Sequence, residues 1–516
     1  MTNRQRPAAA LIVIALATLC LAAMPGRAQR NDATGKSVPA AKRPLNVLFI
    51  AVDDLRPSFG AAYGGPIKTP NLDKLAARGT TFLRAYCQQA VCSPSRTSLL
   101  TGQRPDTTRV YDLVKHFRDT IPNVVTLPQH FKQNGYHAEG MGKIYHGGLD
   151  DEKSWSVPHW SPRKPMWGPE GQAVQQRKLQ AAKAAGEDVE RIGGRLRGPA
   201  WESVDNVPDN YFGDGALSEH AIETLNTIGK SDKPFFLAVG FARPHLPFVA
   251  PKKYWDLYKD GDIKLPANYR KEPENAVPVA LHTWGELRSY DGIPKTGPVS
   301  DEQARKLVHG YYAAASYMDA QVGRVLDELD RLGLRQNTVV VLWGDHGWSL
   351  GEHGLWCKHT NFEDSVRAPL LLSVPGQKRP GAKTRALAEF VDIYPTLCAA
   401  AGLPLPAGLA GKSLLPLANN PNATIKTLAF SQYPRGNQQT GRVMGYSMTN
   451  GRYRYTEWGD RGAELYDHQT DPAENVNLAG KPENQPLLER LSRQLRAALP
   501  GAAQQAERFA AKRSTP

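Results

Sequence analysis

The sequence predicts an α/β fold: a large mixed, mostly parallel sheet sandwiched by helices, followed by a smaller C-terminal α+β domain with an antiparallel sheet. Three observations carry that prediction. Residues 46–52, 235–241, 338–343 and 370–374 are nearly continuous apolar runs, the pattern of strands buried on both faces. Residues 301–332 form a long amphipathic stretch, with Leu307, Tyr311, Ala315, Met318, Val322, Val325 and Leu329 on one stripe. Beyond Pro421 the pattern changes to short segments, 442–448, 453–458 and 464–466, broken by Gly and Asn-Gly, as in antiparallel sheets.

The chain opens with a targeting segment. Arg4 and Arg6 precede an apolar run from Ala8 to Ala23, and Gly26-Arg27-Ala28 offers a small-residue cleavage site. The run is short for a membrane anchor, so residues 1–28 read as a signal peptide and 29–43 as a polar linker. Export to the periplasm or the exterior is expected, with no stable membrane insertion. Residues 44–420 then form the predicted catalytic domain and 421–516 the C-terminal subdomain.

Within the larger domain, 46–52 is the first strand and ends in Asp53-Asp54. Thr69-Pro70 opens a helix that Gly79 closes. Cys92-Ser93-Pro94-Ser95-Arg96 starts another, with Pro94 in the first turn and Gly102 as its left-handed end. Cys92 would then meet the free N–H groups and positive dipole of a helix N-terminus, with Arg96 nearby as a fixed cation. A buried, inert cysteine is the plainer alternative.

Residues 161–200, rich in Arg, Lys, Gln and Ala, read as a surface insertion, helical around 172–185. The run 235–241 leads into Arg243-Pro244-His245, and 338–343 into Gly344-Asp345-His346. Ligands of parallel sheets bind beyond the carboxyl ends of the strands. Asp53, Asp54, His245, Asp345 and His346 all fall there, which argues for one shared site. Three carboxylates and an imidazole suit a hard cation, Ca²⁺ or Mg²⁺. Zinc held by Asp345, His346 and His353 is the weaker alternative, and turn or cap chemistry explains Asp-Asp pairs elsewhere. Residues 486–498 read as a terminal helix.

Of 516 residues, 41% are hydrophobic and 22% charged, an ordinary globular composition, and the formal charge is +14. Removing residues 1–28, with three Arg and no acids, leaves +11. A basic exported protein suits an acidic partner such as a sulfated polysaccharide. Nucleic-acid binding lacks any recognised motif and conflicts with export. The cysteines left after signal removal, Cys87, Cys92, Cys357 and Cys398, are too few and scattered for a disulfide scaffold.

The string Cys92-Ser93-Pro94-Ser95-Arg96 resembles the signature of the sulfatases, whose Cys is oxidised to formylglycine. Gly135-Tyr136 through Gly142-Lys143-Ile144-Tyr145-His146 resembles the second sulfatase signature, with Ala138 where Ser or Thr is common. Leu465-Tyr466-Asp467 and Asp471-Pro472-Ala473-Glu474 are similar to the C-terminal region of that family. Within it, Val52-Asp53-Asp54-Leu55-Arg56-Pro57, Gln88-Gln89-Ala90-Val91-Cys92 and Asp345-His346-Gly347-Trp348 resemble the iduronate-2-sulfatases.

That resemblance implies an alkaline-phosphatase-like fold and hydrolysis of a sulfate ester, of the 2-O position of a terminal uronic acid within a sulfated glycan. It implies one Ca²⁺ held by Asp53, Asp54, Cys92 (as formylglycine), Asp345 and His346, and a formylglycine-generating enzyme as maturation partner. Arg96, Lys143 and Lys358 would neutralise charge, His245 or Lys358 would protonate the leaving oxygen, and His146 would act as the base that frees sulfate. The loop 111–118, with Lys115, His116 and Arg118, and the insertion 161–200 are expected to shape the pocket. Alternatives are a sulfatase for another sugar, a phosphodiester or phosphonate hydrolase of the same superfamily, and a non-catalytic glycan-binding protein.

Overall fold

A computed structural model describes residues 44–188, 196–436 and 441–513. The expected signal peptide and linker, 1–43, lie outside the described residues. Among those described, no helix is long and apolar enough to cross a membrane.

The strands that matter for the site are β1 (Asn46–Val52), β2 (Thr80–Phe82), β3 (His137–Gly142), β4 (Phe235–Phe241), β5 (Thr338–Gly344), β6 (Leu370–Ser373) and β7 (Ala382–Thr384). They form one sheet in the order β7-β2-β6-β5-β1-β4-β3. β6 is antiparallel to both neighbours, and every other pairing is parallel. Six strands therefore point one way, and their carboxyl ends share an edge.

Alternate residues of these strands enter different cores, as the two-residue period of a strand requires. Leu48, Ile50 and Val52 face the layer built by α4 (Gly213–Ile228) and α5 (Asp301–Arg331), while Val47, Phe49 and Ala51 face the layer that holds α2 (Cys92–Thr101). Helices α1 (Pro70–Arg78) and α3 (Pro169–Ala184) complete this set. The expected 301–332 helix is α5, opened by a capping box. The Ser300 hydroxyl accepts from Gln303 N at 3.1 Å, and Ser300 N donates to the Gln303 side chain at 3.2 Å.

Two departures from the sequence reading stand out. β3 escaped because His137-Ala138-Glu139-Gly140-Met141-Gly142 is an edge strand with one buried face, so it lacks a continuous apolar run. The insertion 161–200 is largely superficial, and along α3 just Gly171 and Ala182 are buried, but it is not so throughout. Trp167 is 4% exposed and packs into the main core.

A separate antiparallel sheet follows, β8 (Ala429–Arg435), β9 (Val443–Thr449), β10 (Tyr453–Glu457) and β11 (Ala463–Asp467), paired in chain order. β8 carries Pro434 and is an edge strand, the place a sheet tolerates proline. Helices α6 (Gln485–Ala498) and α7 (Pro500–Arg513) cover it, with Leu488, Leu491 and Leu495 set against Tyr446, Tyr455 and Leu465.

Candidate active site

The ladder of the main sheet extends one residue past its strands, which places the polar side chains. Asp53 N donates to Phe241 O at 3.1 Å, Asp345 N to Val52 O at 3.1 Å, and Lys143 N to Gly240 O at 2.8 Å. A Cβ at Gly240 would collide with the Lys143 backbone, so that close approach needs glycine. Asp54 adopts φ +58, held by its N–H to Asp345 Oδ1 at 3.0 Å and by Tyr311, whose hydroxyl donates to Asp54 O at 2.6 Å.

Cys92 is the first residue of α2, and Gly102 ends the helix at φ +66. One turn in, Arg96 is fully buried and joins three strand ends. Its Nε donates to Asp345 Oδ2 at 2.9 Å, Nη2 to Asp53 Oδ1 at 3.0 Å, and Nη1 to the carbonyls of Lys143 and Ile144. A buried guanidinium needs such partners on every donor. Lys143 Nζ bonds the other Asp53 oxygen and lies 3.9 Å from Cys92 Sγ.

Lys358 Nζ donates to both Asp54 oxygens at 3.1 Å and sits over the Trp348 ring. His245 Nε2 lies 3.8 Å from Asp54 Oδ2, and its Nδ1–H donates to Leu246 O at 2.7 Å. Between these two side chains stands Glu286, a residue the sequence reading missed. Its oxygens lie 3.2 Å from His245 Nε2 and 2.9 Å from Lys358 Nζ. Glu286 belongs to a four-residue helix far from any strand end, so no pattern in the chain marks it.

Burial raises the Asp53 carboxyl, but Lys143, His245 and Arg96 outweigh it and hold the group well below its usual range. At Asp54, burial dominates over Lys358 and the carboxyl is raised. Burial, then Asp53, push the Cys92 thiol well up, so it is no thiolate near neutrality. Burial, with Lys143 beside it, lowers His146 to about 4, and its buried Nδ1 has no hydrogen-bond partner among the described residues.

The donor set fits a hard cation. Asp53, Asp54, Cys92 and His245 each offer an atom within 4.8 Å of the others, as do Cys92, Asp345 and His346. His346 gives its Nδ1–H to Gly347 O at 2.9 Å and turns Nε2 toward Asp54 Oδ1 at 3.3 Å and Cys92 Sγ at 3.5 Å. An imidazole lone pair facing a carboxylate oxygen at that distance needs a cation or a proton between them. The zinc alternative is corrected here. His353 stands apart, with its Nδ1 near Asn268 and its ring against Phe362.

A cavity of about 600 Å³ opens from Asp53, Lys143, His146 and His245. The insertion contributes Met166, Trp167, Gln175 and Arg197 to its wall, and Arg197 stacks on Tyr290 at 4.7 Å. The loop 111–118 does not line it. Arg118 is spent on Asp151 at 2.7 Å, and His116 meets Asp150 O.

The Sulfatase family profile matches residues 45–403, and that of the N-sulphoglucosamine sulphohydrolase C-terminal region matches 351–499. The chain is 34% identical to iduronate 2-sulfatase of Mus musculus, over 92% of this chain and 96% of that protein. It is 33% identical to iduronate 2-sulfatase of Homo sapiens, over 90% and 95%. Its fold is also that of the phosphonate monoester hydrolase of Agrobacterium radiobacter, with a TM-score of 0.70 at 22% identity over 89% of this chain and 96% of that one. The chain belongs to the sulfatase family, close to the iduronate-2-sulfatases, and is a sulfuric ester hydrolase.

Proposed function

We propose that this enzyme removes the 2-O-sulfate of a terminal uronic acid from a sulfated glycan, with Cys92 converted to formylglycine. The observation that carries the reading is the setting of Cys92 itself. Its sulfur lies at a helix N-terminus between His346 and Lys143, yet its thiol is held protonated. An unmodified thiol is poorly suited to that place, whereas an aldehyde hydrate would supply one hydroxyl to attack sulfur and a second to drive sulfate release.

Asp53, Asp54, Asp345 and His346 would hold Ca²⁺, which supplies positive charge to the sulfate oxygens. Arg96 keeps Asp53 and Asp345 in place rather than reaching substrate, because each of its three nitrogens already donates within the fold. Lys143 and Lys358 bring positive charge to the oxygens of the sulfuryl group as it is transferred. His245, with Nδ1–H committed to Leu246 O, presents Nε2 to the site as the nitrogen that would serve the leaving oxygen. Glu286 orients that imidazole. His146, neutral near pH 7, accepts a proton at its unpartnered Nδ1. Arg197 on Tyr290 is the cation on the cavity wall suited to a uronate carboxylate. The 2-O assignment is supported by the two relatives named iduronate 2-sulfatase.

The test has two arms on protein purified from its native host. Peptide mass at Cys92 should show thiol-to-aldehyde conversion, and sulfate release should be fastest from 2-O-sulfated uronates. Release only from other sulfated sugars, or only from phosphate and phosphonate esters, would overturn the substrate assignment. An intact thiol in active protein would overturn the nucleophile.

A further inference from the structure

A second cavity, of about 330 Å³, opens where the other half of the main sheet meets the C-terminal sheet. Three arginines line it, and the topology explains why they meet. Arg84 lies two residues past the end of β2, and Arg385 one past the end of β7. Arg367 lies three before the start of β6, the strand that runs the other way. All three therefore emerge on the carboxyl edge that carries the catalytic residues. β2 is two strands from β5 and β7 is three, roughly 10–15 Å at the usual strand spacing.

The charge balance of this cavity is positive. Among the described residues, Glu363 is the only carboxylate on its wall, and it is already held by Arg454 and by Arg367 Nε at 3.3 Å. Among the described residues, Arg84 and Arg385 have no carboxylate partner. Gly451 (φ +87) keeps room for Arg84, since a Cβ there would lie 2.6 Å from its Nη1. Guanidinium groups that converge without a counter-charge are donors arranged for a tetrahedral oxyanion.

We propose that this cavity is a second anion site, which takes an internal sulfate ester of the same polysaccharide whose terminal sulfate enters the catalytic pocket. The inference rests on the glycan reading above. It makes the enzyme prefer long sulfated chains over disaccharides with the same terminal residue.

The experiment uses the calcium-loaded enzyme and the R84Q/R385Q variant. KM for a long sulfated oligosaccharide should rise about tenfold at unchanged kcat, and KM for the disaccharide should stay within about twofold. R84K/R385K should recover most of the loss, because the charges remain. Equal KM changes for both substrates, or none for either, would overturn the proposal. Calorimetry with a sulfated oligosaccharide that lacks the cleavable terminal sulfate separates the two readings. Affinity lost in R84Q/R385Q, with no turnover of any sulfated sugar by the wild type, would retain the second site and reject the catalytic assignment. Normal hydrolysis with unaltered affinity would reject the second site alone.

Discussion

Glu286 divides its carboxylate between two nitrogens of the site, with one oxygen 3.2 Å from His245 Nε2 and the other 2.9 Å from Lys358 Nζ. Burial pushes its carboxyl up, but Lys358 and His245 hold it well below the usual range, so it stays anionic. A carboxylate so placed fixes both side chains.

Glu286→Gln should therefore lower kcat by about 10- to 100-fold and leave KM nearly unchanged. Steady-state kinetics on a sulfated sugar checks this. A change confined to KM would mean that Glu286 binds substrate instead.

Arg96→Ala should leave buried Asp345 without its guanidinium partner and buried Asp53 with Lys143 alone. Loss of a partner from such a network costs on the order of 3–5 kcal/mol, read as a fall in denaturation midpoint of the chelated protein. Arg96→Lys should recover only part of it, because one ammonium cannot span both carboxylates and two carbonyls.

Chelation should destabilise the enzyme, because Asp53, Asp54, Asp345 and His346 would lose the cation proposed to lie between them. Calcium at a hundredfold its dissociation constant should restore about 2.7 kcal/mol. Asp54→Asn should shrink that increment, measured as the calcium-dependent shift in thermal midpoint. Identical melting with and without calcium would refute the metal assignment.

Glu464 predicts a pH dependence away from the catalytic centre. Burial raises its carboxyl to about 7 despite hydrogen bonds from Trp458 and Tyr466. Between pH 4.5 and 7 the folded state then binds more protons than the unfolded chain, so this group makes stability fall as pH rises. The effect is on the order of 3 kcal/mol across that window. Glu464→Gln should flatten the slope of the denaturation midpoint from pH 4.5 to 7.

The chain announced Cys92 and its helix because local rules act there, with Pro94 in the first turns and Gly102 in the left-handed region. Asp53, Asp54, Asp345 and His346 were readable as polar pairs that end buried strands. Glu286 was not, because its role comes from meeting His245 and Lys358 across the fold and not from its neighbours. Nor were Arg84, Arg367 and Arg385 readable as a set. β6 had to reverse before Arg367 could join the other two.

The sequence by itself thus determined the strand cores, the long helix α5, the helix that starts at Cys92 and the chemical types gathered at the strand ends. These follow from periodicity, caps and turns, which act over a few residues. Only the tertiary structure decided which ends are neighbours. Central β1 lies between β4 and β5, and this brings Asp53, His245 and Asp345 together while Arg96 ties the group from the layer below. That order is set by pairings between residues some 190 to 290 positions apart in the chain, a scale on which no local pattern in the sequence carries information.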